Sequence, residues 1–165
     1  MASLLLHHRE EVILKVIVET SLLQELVKIA ESNRPADIEL KSACLALIGE
    51  IWSLEPTLIT EDPNTTSGGS TVLDSCLRLM KNTCKFSSRC LKLSTMALGF
   101  RLLDQFASSR DPQAPMLYKL LTFALVENIE DEEIRDYILS NFSQIFSQHK
   151  TIPVSILAEP LLRMI

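Results

Sequence analysis

A short pattern returns along this chain at nearly constant spacing, and this repetition limits the folds that are open to it. Thr71-Val72-Leu73, Pro115-Met116-Leu117 and Pro160-Leu161-Leu162 begin at residues 71, 115 and 160, so they lie 44 and 45 positions apart. A fourth copy begins at Ser21, 50 positions before the first of these, and the excess lies in a glycine-containing loop. Each copy opens a shorter amphipathic helix, which a longer and more apolar helix follows. Self-similarity at this period is typical of stacked helical units.

Apolar residues near the start of the chain keep the i, i+3, i+4 spacing of amphipathic helices. A first helix is predicted over residues 9–19. The residues on its apolar face are Val12, Ile13, Val16 and Ile17. Ser21 and Gln24 have the spacing of a capping box, in which each side chain pairs with a free backbone amide, so a second helix is expected to begin there. It stops before Pro35, because a proline restricts the residue that precedes it.

A third helix is predicted over residues 37–54, where the apolar stripe is wide enough to leave little surface for water. Its apolar positions at helical spacing are Leu40, Cys44, Leu47, Ile48, Ile51 and Trp52. A helix of this kind has neighbours on several sides. Trp52, the only tryptophan, is therefore expected in the core rather than as an exposed anchor for a partner.

The remaining helices follow from the same spacing and from their end signals. Helices are predicted over residues 72–85 and 89–107, the second capped by Ser88 or the serine before it. Pro115 suits the first turn of the next helix, because its missing N–H would be unpaired there anyway. Asp131, with the two glutamates after it, opens a further helix, where negative charge is favourable against the helix dipole.

Residues 60–70 are predicted to be a polar loop, either natural or an engineered linker, because Ser-Gly-Gly-Ser is typical linker composition. Apart from it, residues 1–165 are predicted to form a single helical-repeat domain. The chain ends on apolar residues with no polar closing helix, so we expect a fragment of a longer array, whose end further repeats or a partner would cover.

Two of the longer helices carry a stretch that resembles a known family. Leu47-Ile48-Gly49-Glu50-Ile51-Trp52 and Ile138-Leu139-Ser140-Asn141-Phe142-Ser143 look like the ALxNLA stretch in the last helix of an armadillo repeat. In that family the asparagine position lines a concave groove and can bind the backbone of an extended peptide. By resemblance Asn141 occupies this position, Glu50 replaces it in the first copy, and Gln105 stands there in the middle copy.

The resemblance to armadillo and HEAT repeats covers nearly the whole chain and implies an all-α fold. That fold is a right-handed α–α superhelix of about three to four repeats. The composition agrees with it, since 47% of the residues are hydrophobic and only four are glycine. The resemblance also implies a scaffold that binds another protein or a peptide segment rather than an enzyme.

Composition and motifs argue against several other classes of function. The net charge of −5 disfavours a dedicated nucleic-acid binder. No phosphate-binding loop, nucleophile elbow or HExxH motif occurs, so no catalytic residue, metal site or cofactor is predicted. The cysteines lack CxxC spacing and are expected to be inert buried thiols rather than ligands or disulfides. They are Cys44, Cys76, Cys84 and Cys90.

Nothing in the sequence predicts a membrane span or a secretory signal. No apolar run reaches the roughly 20 residues that a span needs. Charged residues follow Leu6, where a signal peptide would carry its apolar core. We therefore expect an intracellular protein of the cytoplasm or nucleus.

A basic group is the second candidate binding site. Its members are Arg78, Lys81, Lys85, Arg89 and Lys92. The first three share a helical stripe by spacing, which is typical of an ordinary solvated face but also suits an acidic partner segment or nucleic acid. Nucleic-acid association, or a role as a regulatory subunit through residues 78–92, is therefore the alternative function. An acidic set could pair with a basic partner or with the neighbouring repeat. It comprises Glu127, Glu130, Asp131, Glu132, Glu133 and Asp136.

Replacing Leu162 and Ile165 with lysine tests whether the C-terminal end is open. Large exposed apolar patches seek cover, so the isolated chain is expected to aggregate or to dimerise through this end. The double change should then raise solubility, measured by sedimentation, and leave helical content by circular dichroism almost unchanged. Unfolding of the variant would instead place both residues in a closed core and contradict the open array.

Overall fold

The protein is described here by a computed structural model, which covers residues 11–12, 15–17, 21–32, 37–60, 72–109 and 111–149. All regular elements within these ranges are helices, which confirms the predicted all-α class for this part of the chain. The α-helices are α1 (Leu22–Glu31), α2 (Ile38–Leu54), α3 (Thr57–Thr60), α4 (Val72–Lys81), α5 (Arg89–Ser109), α6 (Ala114–Glu127) and α7 (Glu132–Gln148). Residues 11–12 and 15–17 are also helical.

The helices pack in two rows that share one core. In the first row α5 lies between α2 and α7 and contacts both, and in the second row α4 contacts α1 and α6. Contacts between the rows join α1 to α2, α4 to α5, and α6 to both α5 and α7. Because α5 has neighbours on several sides, buried residues occur around most of its circumference, from Leu91 to Phe106.

The predicted end signals of the later helices are confirmed, but one predicted helix is divided. Ser88 Oγ accepts a hydrogen bond from the Leu91 amide at 3.3 Å, and Pro115 lies in the first turn of α6. The helix predicted over 72–85 ends at Lys81, and a 3-10 turn, Thr83–Lys85, follows it. The Asn82 side chain donates to the Arg78 carbonyl at 2.9 Å, which occupies an acceptor at the end of α4.

The capping box predicted at Ser21 is wrong. Ser21 has a left-handed backbone, with φ 51° and ψ 30°, and its side chain caps no amide. An N-cap residue normally has an extended backbone, which directs its side-chain oxygen toward the free amides. Here the Ser21 carbonyl alone accepts, from the Glu25 amide at 3.3 Å.

The wide apolar stripe predicted for α2 is only partly buried. Trp52 lies in the core, as predicted, with its ring edge-on to Phe106 at a centroid distance of 5.2 Å. Leu40 and Leu47, however, are 50% and 42% exposed. They lie seven residues apart, so they share one exposed face of α2. Lys41 is buried instead, because it shares the face of Cys44 and Leu45.

The predictions for the first helix and for the cysteines are confirmed only in part. Val12 and Val16 are exposed, so of the described residues on the first predicted face only Ile17 reaches the core. Cys44 and Cys76 are buried, and burial raises the pKa of the Cys76 thiol to about 12. Cys90, in the first turn of α5 beside Ser42, is exposed, so the prediction of a buried thiol is wrong at this position.

Part of the predicted loop at 60–70 is helical, since Thr60 belongs to α3. The rest of that loop lies outside the described residues, and so does the C-terminal segment from Lys150 onward. Within the described ranges, no helix is both long and apolar enough to cross a membrane.

Leu102→Ala in α5 tests the shared core. Leu102 is 0% exposed, so we expect its truncation to lower the free energy of unfolding by about 2–5 kcal/mol through lost burial and a residual cavity. Leu139→Ala on α7, where the side chain is 48% exposed, is the control and should have little effect. Guanidinium denaturation measures both variants. Equal losses would show that α5 is not the centre of the core.

Candidate functional site

The three residues predicted to line a groove lie on the three helices of the first row. Glu50 is on α2, Gln105 on α5 and Asn141 on α7. Glu50 and Gln105 are exposed, and Asn141 is half-buried. The three positions therefore lie on helices that contact one another in order, α2 with α5 and α5 with α7. We call the exposed side of α2, α5 and α7 the first-row face.

An ion pair joins two helices of the first-row face. The Arg101 guanidinium on α5 lies 2.6 Å from a carboxylate oxygen of Glu50 on α2. The hydrogen bond from Arg101 and its charge hold the pKa of Glu50 below its ordinary value. A Cβ at Gly49 would lie 3.1 Å from Arg101 Cδ, so the glycine makes room for the arginine to lie across α2. Since both charges are largely solvated, the pair fixes side-chain positions more than it stabilises the fold.

The amides of the first-row face supply donors and acceptors. Asn141 Nδ2 donates to the Tyr137 carbonyl at 2.8 Å, which orients the amide along its own helix. An asparagine side chain can make four hydrogen bonds, so capacity remains for a ligand. His149, the C-cap residue of α7, places its Nε2 3.1 Å from Asp104 Oδ1 of α5, so this contact links the two helices.

The basic group does not form one continuous strip. Arg78 donates to Glu31 at 2.8 Å, and Arg89 contacts Asp131 at 2.9 Å and Glu133 at 3.0 Å. Two of the predicted acidic residues, Asp131 and Glu133, thus pair with an arginine of another helix, α5. The 3-10 turn after α4 separates the remaining lysines, which breaks the predicted helical stripe.

The three lysines of the group have different surroundings. Lys92 Nζ donates to the Asn128 side chain at 2.7 Å. Lys81 lies in a small depression between α4 and α6, beside Glu127. Lys85 lines a larger cleft between α1, α2, α4 and the start of α5, with a volume of about 610 Å³. Arg78 and the buried Lys41 line the same cleft.

Lys41 and Arg101 were missed by the sequence analysis. Lys41 could have been found, because it precedes Cys44 and Leu45 by three and four positions and so shares their buried face. Arg101 carried no such signal, since its partner Glu50 lies 51 positions away in the chain.

The described side chains form no cluster that is suited to binding a metal ion. Within the described ranges, no group of three or more His, Cys, Asp or Glu residues could hold a metal ion. The two described buried thiols, Cys44 and Cys76, have a pKa raised by burial, which opposes formation of a nucleophilic thiolate. What these surfaces offer chemically is hydrogen bonding and charge.

Asp131→Asn tests the contact between α7 and Arg89. Partial burial alone would raise the pKa of Asp131, but the Ile134 amide and the Arg89 guanidinium hold it below its ordinary value. The ionised form therefore adds stability above the unfolded-state pKa of about 3.9, and this is lost as pH falls through the folded pKa.

Asparagine also caps helices well, so the variant removes mainly the charge. We expect a lower Tm than wild type at pH 7, and Tm values that converge as the pH falls through the folded-state pKa of Asp131. Calorimetry across this range measures both. A Tm difference that persists in acid would contradict the assigned role of the charge.

Comparison with protein-family models, with curated proteins and with solved structures gives no match to this chain. The surfaces described above are therefore interpreted from their own geometry and chemistry.

Proposed function

We propose that this chain is a non-enzymatic scaffold that binds another protein through the first-row face. The observation that carries the proposal is that α2, α5 and α7 pack in series and carry Glu50, Arg101 and Gln105, which are exposed, and Asn141, which is half-buried. Such a row suits an extended partner segment, because side-chain amides and charges at intervals can bind its backbone groups.

The two rows of helices also support a finer proposal for the fold. In an armadillo- or HEAT-like solenoid, corresponding helices of successive units lie side by side and share a continuous core. The sequence α2, α5, α7 and the sequence α1, α4, α6 have this pattern of contacts. We propose a right-handed superhelix of three to four such units, in a protein that acts inside a eukaryotic cell.

Nucleic-acid association remains the alternative, and the charge distribution favours the protein partner. Arg78 and Arg89 already contact carboxylates of neighbouring helices, so they offer less charge to phosphates. Binding through the remaining lysines would be salt-dependent. Absence of any oligonucleotide binding at low salt would remove this alternative.

A paired substitution on the first-row face tests the proposed function. Gln105→Arg with Asn141→Arg adds bulk and positive charge to α5 at an exposed position and to α7 at a half-buried one. Arginine is a good helix former, so both helices should persist. We expect the wild-type chain to recover a discrete partner from a eukaryotic lysate, and the double variant to lose it.

The matched control is Gln24→Arg on α1, which makes the same exchange in the second row and should retain the partner. Circular dichroism verifies that all three proteins are folded. The proposal fails if the double variant recovers the same partner as the wild type, or if many lysates yield no partner at all.

A further inference from the structure

Lys41 is a buried cation without a counter-charge. Its residue is only 8% exposed, and its ammonium group donates to the Ser32 carbonyl. Within the described ranges no ion pair joins it to a carboxylate, and Glu31, the acid among the described residues that line the cleft, pairs with Arg78. Burying a charge is costly unless an opposite charge and hydrogen bonds offset the loss of water. The Ser32 carbonyl accepts a hydrogen bond but supplies no opposite charge, so a bound anion would stabilise Lys41.

The cleft around Lys41 has room for such an anion. Its volume of about 610 Å³ lies within the range of roughly 300–1,000 Å³ that is usual for ligand sites. Lys85 stands exposed at its rim and makes no ion pair in the described part of the chain. Because the charges of Arg78 and Glu31 cancel, the described lining of the cleft has a net positive charge, which Lys41 and Lys85 supply.

The rest of the lining is suited to a peptide rather than to a free anion. Apolar side chains of Ile38, Leu79 and Phe86 share the cleft with the cations, and the Ser87 residue adds a hydroxyl at its edge. Ligand sites of this mixed kind bury apolar groups and use a few polar groups for orientation. A phosphate backbone would contact exposed cations, whereas Lys41 lies below the surface, where a carboxylate on a flexible side chain can reach it.

We propose that this cleft binds an acidic segment of a partner protein, with a carboxylate directed to Lys41 and Lys85 and a neighbouring apolar side chain against Phe86. The inference rests on the proposed scaffold function for the class of its ligand, but it concerns a different surface from the first-row face. The cleft and the first-row face would then bind two parts of one partner, or two different partners.

Selection from a random peptide library displayed on phage, with the full chain as bait, tests the proposal while the natural partner is still unidentified. We expect enriched peptides to combine Asp or Glu with Leu, Ile or Phe. Their affinities, measured by fluorescence anisotropy, should fall by about ten-fold or more in Lys85→Glu, which reverses a charge at the rim. Lys41→Met should have a similar effect, and Lys85→Glu keeps the test valid if Lys41→Met fails to fold.

Lys81→Glu is the matched control, because it makes the same charge change on an exposed lysine outside the cleft. It should leave the affinities within about two-fold of wild type, as expected for a solvated charge that contacts no ligand. An equal loss in Lys81→Glu would indicate general electrostatic attraction and overturn the proposal.

Two further outcomes separate this inference from the proposed function. If the enriched peptides lose affinity only for the Gln105→Arg, Asn141→Arg variant, the proposed scaffold function stands and the proposed role of the cleft is overturned. Failure of any acidic peptide to enrich would also overturn the cleft. Displacement of the peptides by a single-stranded oligonucleotide or by inorganic phosphate at equal concentration would indicate a phosphate site instead, and would reject the peptide.

Discussion

The packing of α5 against α2 is the interaction on which the rest of the structure depends. Leu102 and Leu103 are fully buried in α5, and Phe106 meets Trp52 of α2 edge to face. Burial of such side chains contributes about 1.5–3 kcal/mol each. Because α5 also contacts α4, α6 and α7, it connects the helices of both rows. A chain that placed α5 elsewhere would have neither a shared core nor a first-row face.

Charged contacts between the helices lie around this core and have a different role. Arg78 pairs with Glu31, Arg101 with Glu50, and Arg89 with Asp131, and each pair links two of the helices. Exposed ion pairs of this kind contribute little to the free energy of unfolding. Their effect is to occupy charges that would otherwise be open to partners, which leaves Lys41 and Lys85 as the cations of the cleft.

The helical class and most helix positions could be predicted from the spacing of apolar residues, because burial imposes that spacing locally. The cap at Ser88 and the place of Pro115 in the first turn of α6 followed from local backbone chemistry. The exposure of Leu40 and Leu47 could not be predicted, since it depends on where α1 and α5 lie around α2. The candidate surfaces were predictable only in part. Glu50 was identified by resemblance, whereas its pairing with Arg101 depends on how α5 packs against α2.

Nuclear magnetic resonance of the complex tests the central claim most directly, namely that the first-row face binds the partner. With the captured partner added to isotopically labelled chain, we predict that the largest amide shift changes occur near Glu50, Arg101, Gln105 and Asn141. Changes confined to α1, α4 and α6, with no change on α2, α5 and α7, would contradict the account.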